Sequence, residues 1–283
     1  MKRSTNTHES TRTKTQFVRL SVISWIVLLG SCLVVSAKEP ITIYLAGDST
    51  MALKLPEKRP ETGWGEFLQG FFDAEKVKVE NHAKNGRSTR TFIEEKLWQG
   101  ILQKLKKGDY VFIQFGHNDS SKEKVERYTS PEEYRANLLR FISDVRARKA
   151  EPVLLTPVMR RRFDKDGNSY DTHGVYPDVV RAVAMENKVL LIDMHRLSDR
   201  VIRECGVEGS KALFLHLKPN ESANYPNGLT DNTHFNPLGA ETMAALVVGE
   251  LRTSKSDLAR RLLESKAGTL RQPCTSSTTF LRQ

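Results

Sequence analysis

Residues 41–51 read ITIYLAGDSTM, and this stretch decides the fold. Its first six residues are mostly apolar and β-prone, which predicts a buried strand closed by Gly47. Ser49 follows directly beyond the carboxyl end of that strand, the edge where open α/β sheets place ligands and chemistry. A serine in this position is also a common helix cap. Ser49 is a candidate nucleophile if a histidine and an acid reach it.

Downstream of this stretch, short apolar runs alternate with helical patterns. The predicted strands are 41–46, 77–80, 110–115, 152–156 and 189–193. The predicted helices are 66–72, 91–105, 131–149, 176–187, 195–205 and 237–251, with a loop at 231–236. Strands that alternate with helices indicate a parallel sheet covered on both faces. We therefore expect an α/β fold, a three-layer α/β/α domain with a central five-stranded parallel sheet.

The beginning of the chain has the pattern of a secretory signal peptide. Basic residues precede an uncharged apolar run at 20–37, which ends in small residues at Ala37. We expect cleavage after Ala37 and a secreted or periplasmic protein, with no membrane contact after cleavage. Two alternatives stay open: a membrane anchor formed by the same run, and a lipoprotein acylated at Cys32. The expected domains are 1–37 signal peptide, 38–252 folded α/β domain and 253–283 C-terminal extension, partly disordered.

Charge and cysteine content narrow the class of partner. The net charge of the 283 residues is +10, of which the first 37 residues contribute +4. A basic surface suits a polyanion such as an acidic polysaccharide, or serves solubility alone. The usual nucleic-acid motifs are missing from the sequence, so we expect no nucleic-acid partner. Cys205 and Cys274 could pair outside the cell, and no Cys/His spacing suggests zinc.

A histidine and an acid occur together late in the chain, at Asp231 and His234. At this spacing a carboxylate can bond the imidazole Nδ1–H, which leaves Nε2 available to take a proton from a serine. Two further positions could bind an oxyanion. Gly86 follows the second predicted strand and lets a backbone N–H approach a ligand closely. Asn118 follows the third strand and offers side-chain N–H donors.

Together these positions form four blocks in register with the predicted strands: GDS at 47–49, Gly86, GHND at 116–119 and DNTH at 231–234. The arrangement resembles the SGNH (GDSL-type) hydrolases from about residue 41 to 251. The resemblance implies a flavodoxin-like SGNH fold, Ser49 as nucleophile, His234 as general base and acid, and Asp231 as its orienter. It also implies an oxyanion hole from the N–H groups of Ser49 and Gly86 and the Asn118 side chain. No metal or other cofactor is implied.

Further motifs are similar to those of rhamnogalacturonan acetylesterases, extracellular enzymes that remove acetyl groups from pectin. They are GDSTM at 47–51, GWG at 63–65, NGRS at 85–88, FGHND at 115–119, TPVMRR at 156–161 and DTHGVYP at 171–177. This resemblance implies hydrolysis of acetyl esters on an acidic polysaccharide through an acetyl-serine intermediate. Candidate substrate contacts are Arg87, His117, Arg160 and His173, since arginine matches carboxylates bidentately.

Three other functions stay open at this point. One is a deacetylase of another glycan, such as acetylated xylan, because a fold does not fix its substrate. Another is a lipase or esterase that acts on small esters. The third is a polysaccharide-binding protein without catalytic activity, which the complete set of catalytic positions disfavours.

Overall fold

The computed structural model describes residues 40–264. The predicted signal peptide, its alternatives at Cys32, and the tail beyond residue 264 lie outside this part of the chain. Cys205 is disulfide-bonded, while Cys274 lies outside the described residues. Within residues 40–264, none of the helices is both long and apolar enough to cross a bilayer.

A parallel sheet of five strands forms the centre of the domain, as the sequence predicts. Its strands are β1 (Ile41–Gly47), β2 (Val77–Asn81), β3 (Tyr110–Gln114), β4 (Glu151–Leu155) and β5 (Leu190–Ile192). Their spatial order is β2-β1-β3-β4-β5. The order reverses between β1 and β3, and such a reversal opens a crevice outside the carboxyl ends of the strands. The segments that follow β1, β2 and β3 therefore meet at one place.

Two helical layers cover the sheet. The helices are α1 (Thr89–Glu94), α2 (Leu97–Lys104), α3 (Pro131–Ala147), α4 (Tyr176–Glu186), α5 (Met194–Gly209) and α6 (Pro237–Thr253). Strand side chains alternate between two cores, as the two-residue period of a strand requires. On one face Ile43 and Leu45 pack with α5 and α6, and on the other Tyr44 and Ala46 pack with α1 to α4.

Local signals explain where most helices begin. Ser130 caps α3 with a capping box, and Pro131 occupies its first turn, as predicted. The predicted helix 91–105 is instead two helices, because Lys96 adopts a left-handed conformation between α1 and α2. The predicted helix 66–72 is a pair of short 3-10 turns. At the other end, Leu258 and Leu262 pack onto the core beyond α6.

The predicted loop at 231–236 is wrong in one important respect. Residues 229–235 form strand β7 (Leu229–Phe235), which pairs antiparallel with β6 (Phe214–Leu217) in a second, two-stranded sheet. The polar run TDNTH at 230–234 gives no strand signal in the sequence, since Asp and Asn are depleted in strands. Phe214 and Phe235, both fully buried, fix the hairpin to the core with α6. Asp231 and His234 therefore lie on a two-stranded sheet that is separate from the central sheet.

Candidate active site

Ser49 lies in the turn after β1, at the carboxyl edge of the central sheet. The turn is held from inside by Asp48, whose buried carboxylate accepts hydrogen bonds from the Thr50 N–H and hydroxyl at 2.9 and 2.8 Å. Burial raises the pKa of Asp48, and the bonds from Thr50 oppose that rise. Asp48 is committed to the turn, so it does not serve as the partner of a histidine.

The structure brings Ser49, His234 and Asp231 into one hydrogen-bonded chain. The Nε2 atom of His234 lies 2.9 Å from the Ser49 Oγ, and its Nδ1 atom lies 2.7 Å from Oδ2 of Asp231. The serine comes from the central sheet, whereas the histidine and the acid come from β7. The resemblance implies this arrangement from two blocks of the sequence, GDS at 47–49 and DNTH at 231–234.

The carboxylate of Asp231 decides which imidazole nitrogen carries the proton. Its Oδ1 accepts the backbone N–H groups of Thr233 and His234 at 2.7 and 3.0 Å, and its Oδ2 faces the imidazole. Burial alone would raise the pKa of Asp231, but the bonds from His234 and the two N–H groups lower it to about 2. The ionised carboxylate accepts the Nδ1–H, so Nε2 presents a lone pair to the serine hydroxyl.

Gly86 and Asn118 line the same cavity as Ser49 and His234, a space of about 610 Å³. Gly86 has φ +76°, a left-handed conformation that costs other residues roughly 1–2 kcal/mol. A Cβ atom there would lie 3.2 Å from the guanidinium of Arg127. The predicted oxyanion-hole residues therefore share one cavity, and the backbone at Gly86 has the shape that glycine favours.

The Asn118 amide is held in a defined orientation. Its Nδ2 donates to the carbonyl of Arg87 at 2.9 Å, and its Oδ1 accepts from Arg127 at 3.2 Å. With the oxygen engaged by a guanidinium, the amide nitrogen is fixed as the donor side. The orientation of Asn118 thus depends on Arg127, a residue outside every sequence motif.

Two of the four predicted substrate contacts, His117 and Arg160, line the cavity. Arg160 donates to the carbonyl of His117 at 3.0 Å and to the hydroxyl of Thr172 at 2.9 Å, which fixes the guanidinium against the wall. His117 is buried, and burial lowers its pKa well below the usual range. His117 is therefore neutral at physiological pH.

The other two predicted contacts lie away from the cavity. The guanidinium of Arg87 pairs with Glu95 at 2.8 Å and donates to the carbonyl of Asn85, so it braces the loop before α1. His173 is fully buried behind His117, with its Nε2 atom 3.1 Å from the Nδ1 of His117. The structure thus places neither side chain where it would touch a ligand in the cavity.

His173 belongs to a network centred on Asp171. Oδ1 of Asp171 lies 2.9 Å from Nδ1 of His173 and 2.8 Å from Nε2 of His195. Burial lowers the pKa of His173 to about 4, against the opposing effect of Asp171. These three side chains are the one group among residues 40–264 whose ligand atoms lie close enough to hold a metal ion. Here those atoms bond to one another, which accounts for their clustering as a hydrogen-bond network.

Basic side chains dominate the rim and walls of the cavity. Five cations line it, against the two acids Glu61 and Glu123; the cations are Lys58, Lys124, Arg127, Arg160 and Arg162. None of Lys58, Lys124 and Arg162 forms an ion pair with another described residue. Arg161, by contrast, points away and bonds Asn232 of β7 at 3.0 Å. The cavity therefore favours an anionic ligand.

Sequence reasoning missed several residues of this site. Lys54 and Glu61 form a 2.7 Å ion pair beside the Ser–His contact, and Arg127 orients Asn118. In the sequence, Glu61 is marked only by its position just before the Gly63-Trp64-Gly65 motif. No sequence signal marks Lys54 or Arg127. They are charged residues of irregular segments, and only the folded chain shows where those segments lie.

A three-layer α/β domain with a Ser–His–Asp chain at its switch point is typical of ester hydrolases. The chain belongs to the GDSL-like Lipase/Acylhydrolase family, which residues 45–242 match. It is accordingly a carboxylic ester hydrolase, in agreement with the resemblance found in the sequence.

The chain is similar to curated proteins and to solved structures. The chain is 42% identical over 210 residues to the rhamnogalacturonan acetylesterase RhgT of Bacillus subtilis, covering 74% of this chain and 89% of RhgT. It is 35% identical over 225 residues to the probable rhamnogalacturonan acetylesterase YesY of the same organism, covering 79% and 98%. Among solved structures, YxiM of Bacillus subtilis superposes with a TM-score of 0.64 at 30% identity, covering 75% of this chain and 56% of YxiM.

Proposed function

We propose that this protein is a serine carbohydrate esterase that hydrolyses O-acetyl groups of pectic polysaccharide, with acetylated rhamnogalacturonan as its substrate. The Ser49–His234–Asp231 chain, which opens onto a cavity lined with cations, carries this proposal. The names of the relatives RhgT and YesY support the substrate. The predicted signal peptide adds a location outside the cytoplasm.

Acylation follows from the positions of the three side chains. The Ser49 Oγ attacks the acetyl carbonyl carbon while its proton passes to Nε2 of His234, 2.9 Å away. Asp231 stabilises the imidazolium that forms. The carbonyl oxygen becomes an oxyanion, to which the N–H groups of Ser49 and Gly86 and the Asn118 amide donate. The sugar hydroxyl then leaves with the proton from His234, and Ser49 carries the acetyl group.

Deacylation uses the same groups in reverse. Water gives a proton to Nε2 of His234 and attacks the acetyl carbon of acetyl-Ser49. The bond between the carbon and Oγ breaks, the proton returns to Oγ, and acetate is released. One oxyanion-hole donor is worth ~3–4 kcal/mol in such transition states, so three donors suit an unactivated sugar ester.

The charge of the cavity supports a uronic-acid polymer as substrate. Lys58, Lys124 and Arg162 are exposed, and they lie within reach of a chain that passes over Ser49 in the same cavity. The galacturonate carboxylates of a pectic backbone supply the matching charge. A neutral xylan backbone carries no charge to pair with these side chains.

The test is acetate release from acetylated rhamnogalacturonan, with acetylated xylan in parallel, by wild type and Ser49→Ala. We expect release from the pectic polymer and its loss in the variant. Release mainly from xylan would discard the pectic substrate but keep the triad. Release that survives Ser49→Ala would discard the serine mechanism.

A second measurement isolates the role of charge. Arg162→Gln and Lys124→Gln are expected to raise KM on the acidic polymer about two- to fivefold each, as for exposed ion pairs. Neither change should affect hydrolysis of p-nitrophenyl acetate, which carries no carboxylate. Arg140→Gln, which removes an exposed arginine of helix α3 outside the cavity lining, is the matched control. An equal loss on both substrates would contradict uronate binding.

A further inference from the structure

Glu61 is a second carboxylate beside His234, on the side opposite Asp231. Its Oε1 lies 3.9 Å from Nε2 of His234, the nitrogen that faces the Ser49 hydroxyl. The segment is pinned in place, because the next residue, Thr62, donates its N–H to the carbonyl of Phe235 on β7 at 2.9 Å. Glu61 lines the cavity, and its side chain is 11% exposed. It therefore reaches the space where the reaction takes place.

A buried lysine holds this carboxylate. Nζ of Lys54 lies 2.7 Å from Oε1 of Glu61, and the Lys54 side chain is wholly buried. The ammonium also donates to the carbonyl of Ser49 at 2.5 Å and to Oδ1 of Asn85 at 2.8 Å. Lys54 thus connects the nucleophile turn, the loop before Gly86 and Glu61. Burial lowers the pKa of Lys54, and the bond to Glu61 opposes this.

Stability alone is a weak explanation for such a pair. Taking two charges out of water costs several kcal/mol per ion, so buried ion pairs often stabilise a fold no better than apolar residues of the same size. The pair does fix one carboxylate oxygen beside the base. A positioning role in the reaction explains that placement better.

The distance from Glu61 to His234 fits one bridging water. At 3.9 Å the two atoms are too far apart for a direct hydrogen bond. A water oxygen about 2.8 Å from both atoms can donate one proton to each. The same water is placed beside Ser49 Oγ, since Nε2 lies 2.9 Å from that atom.

We infer that Glu61 positions the hydrolytic water of the deacylation step, with Lys54 as the residue that holds Glu61. The water donates one hydrogen bond to Oε1 of Glu61 and gives its other proton to Nε2 of His234. Its oxygen bonds the acetyl carbon, the bond from that carbon to Ser49 Oγ breaks, and His234 returns the proton to Oγ. Glu61 keeps its charge throughout. The inference rests on the proposed acetyl-serine mechanism.

Water needs two proton acceptors in this geometry, whereas methanol needs one. Methanol has a single O–H, which His234 accepts, so its attack on acetyl-Ser49 does not use Glu61. Removal of the Glu61 acceptor should therefore slow hydrolysis but leave methanolysis almost unchanged. A merely structural role would slow both reactions alike.

The experiment compares wild type with Glu61→Met on p-nitrophenyl acetate in the presence of methanol. We expect the steady-state rate in water to fall about ten- to a hundredfold, the loss of one charge-assisted hydrogen bond. The burst of p-nitrophenol should remain, acetyl-Ser49 should accumulate in intact-mass spectra, and the ratio of methyl acetate to acetate should rise by a similar factor. Glu186→Met removes a surface carboxylate that lies outside the cavity lining and should change none of these.

Two further variants keep the outcome decisive. Glu61→Gln retains an acceptor oxygen without the charge, so its product ratio should lie between wild type and Glu61→Met. If Glu61→Met fails to fold because Lys54 is left unpaired, the double variant Lys54→Met/Glu61→Met removes both charges and is measured instead. An unchanged product ratio in a folded variant overturns the inference alone, whereas p-nitrophenyl acetate hydrolysis that survives Ser49→Ala overturns the proposed mechanism.

Discussion

Replacing Asp231 by asparagine should nearly abolish activity while leaving the fold intact. Two backbone N–H groups, of Thr233 and His234, both bond Oδ1 of Asp231, at 2.7 and 3.0 Å. In Asp231→Asn the amide oxygen must take this place, because only an oxygen can accept those bonds. The NH₂ group then occupies the position of Oδ2, which lies 2.7 Å from Nδ1 of His234.

The size of the effect follows from the tautomer. Two donors cannot face each other, so the ring gives up its Nδ1 proton and carries one on Nε2 instead. Nε2–H then points at the Ser49 hydroxyl, 2.9 Å away, and cannot take its proton. In a Ser–His–Asp triad this error costs on the order of 10⁴ in kcat. That factor corresponds to about 5 kcal/mol of transition-state free energy.

The assay is kcat for p-nitrophenyl acetate hydrolysis by wild type, Asp231→Asn and Asp231→Ala. We expect Asp231→Asn to be at least as impaired as Asp231→Ala, although it is the closer match in shape. Its thermal midpoint should stay near that of wild type, since the backbone bonds persist. Asp178→Asn, an exposed carboxylate paired with Arg181, is the control. Activity of Asp231→Asn within tenfold of wild type would refute the reasoning.

Three more predictions concern backbone shape, pH and packing. Gly86→Ala should lower kcat about tenfold or more with little change in KM, because a side chain at φ +76° and 3.2 Å from Arg127 displaces the proposed oxyanion donor; a higher KM with unchanged kcat would contradict this. Burial lowers the pKa of His173 to about 4. As the pH falls from 6.5 to 4, the His173 imidazole is therefore protonated in the unfolded chain but still neutral in the folded one. Stability should drop by up to about 3 kcal/mol across that window, and urea titrations of His173→Gln should show a flatter profile. Gly239→Ala places a Cβ 1.8 Å from the carbonyl oxygen of Leu213, which should cost about 2 kcal/mol and lower Tm by roughly 4–8 °C in calorimetry; an unchanged Tm would show that the backbone adjusts freely.

The central sheet and the closeness of Ser49, Gly86 and Asn118 could be predicted because both rest on local signals. Apolar runs closed by turn residues mark the five strands, and parallel strands bring their carboxyl ends together. This places Ser49, Gly86 and Asn118 near one another without any knowledge of packing. The short spacing from Asp231 to His234 already allows the carboxylate to reach the ring.

The features that sequence analysis did not predict depend on long-range packing. Strand β7 is polar and exists because β6 pairs with it, so its own residues give no strand signal. The left-handed turn at Lys96 has no glycine or proline to mark it. Arg87 belongs to the NGRS motif at 85–88, yet its side chain pairs with Glu95 and does not line the cavity. A motif fixes which residues are near the site, but not which way each side chain points.

We expect the β6–β7 hairpin, which lies outside the central sheet, to open at a lower free energy than the whole domain. His234 and Asp231 lie on this small sheet, which contacts the rest of the domain through buried Phe214 and Phe235, the Thr62–Phe235 hydrogen bond and the hydrogen bond from Arg161 to Asn232. Ser49, by contrast, follows β1 of the central sheet. Local opening of a small unit needs less free energy than global unfolding. Catalytic competence can therefore be lost in dilute denaturant while the far-ultraviolet spectrum is still native, and the gap between the two curves measures how firmly the hairpin is docked.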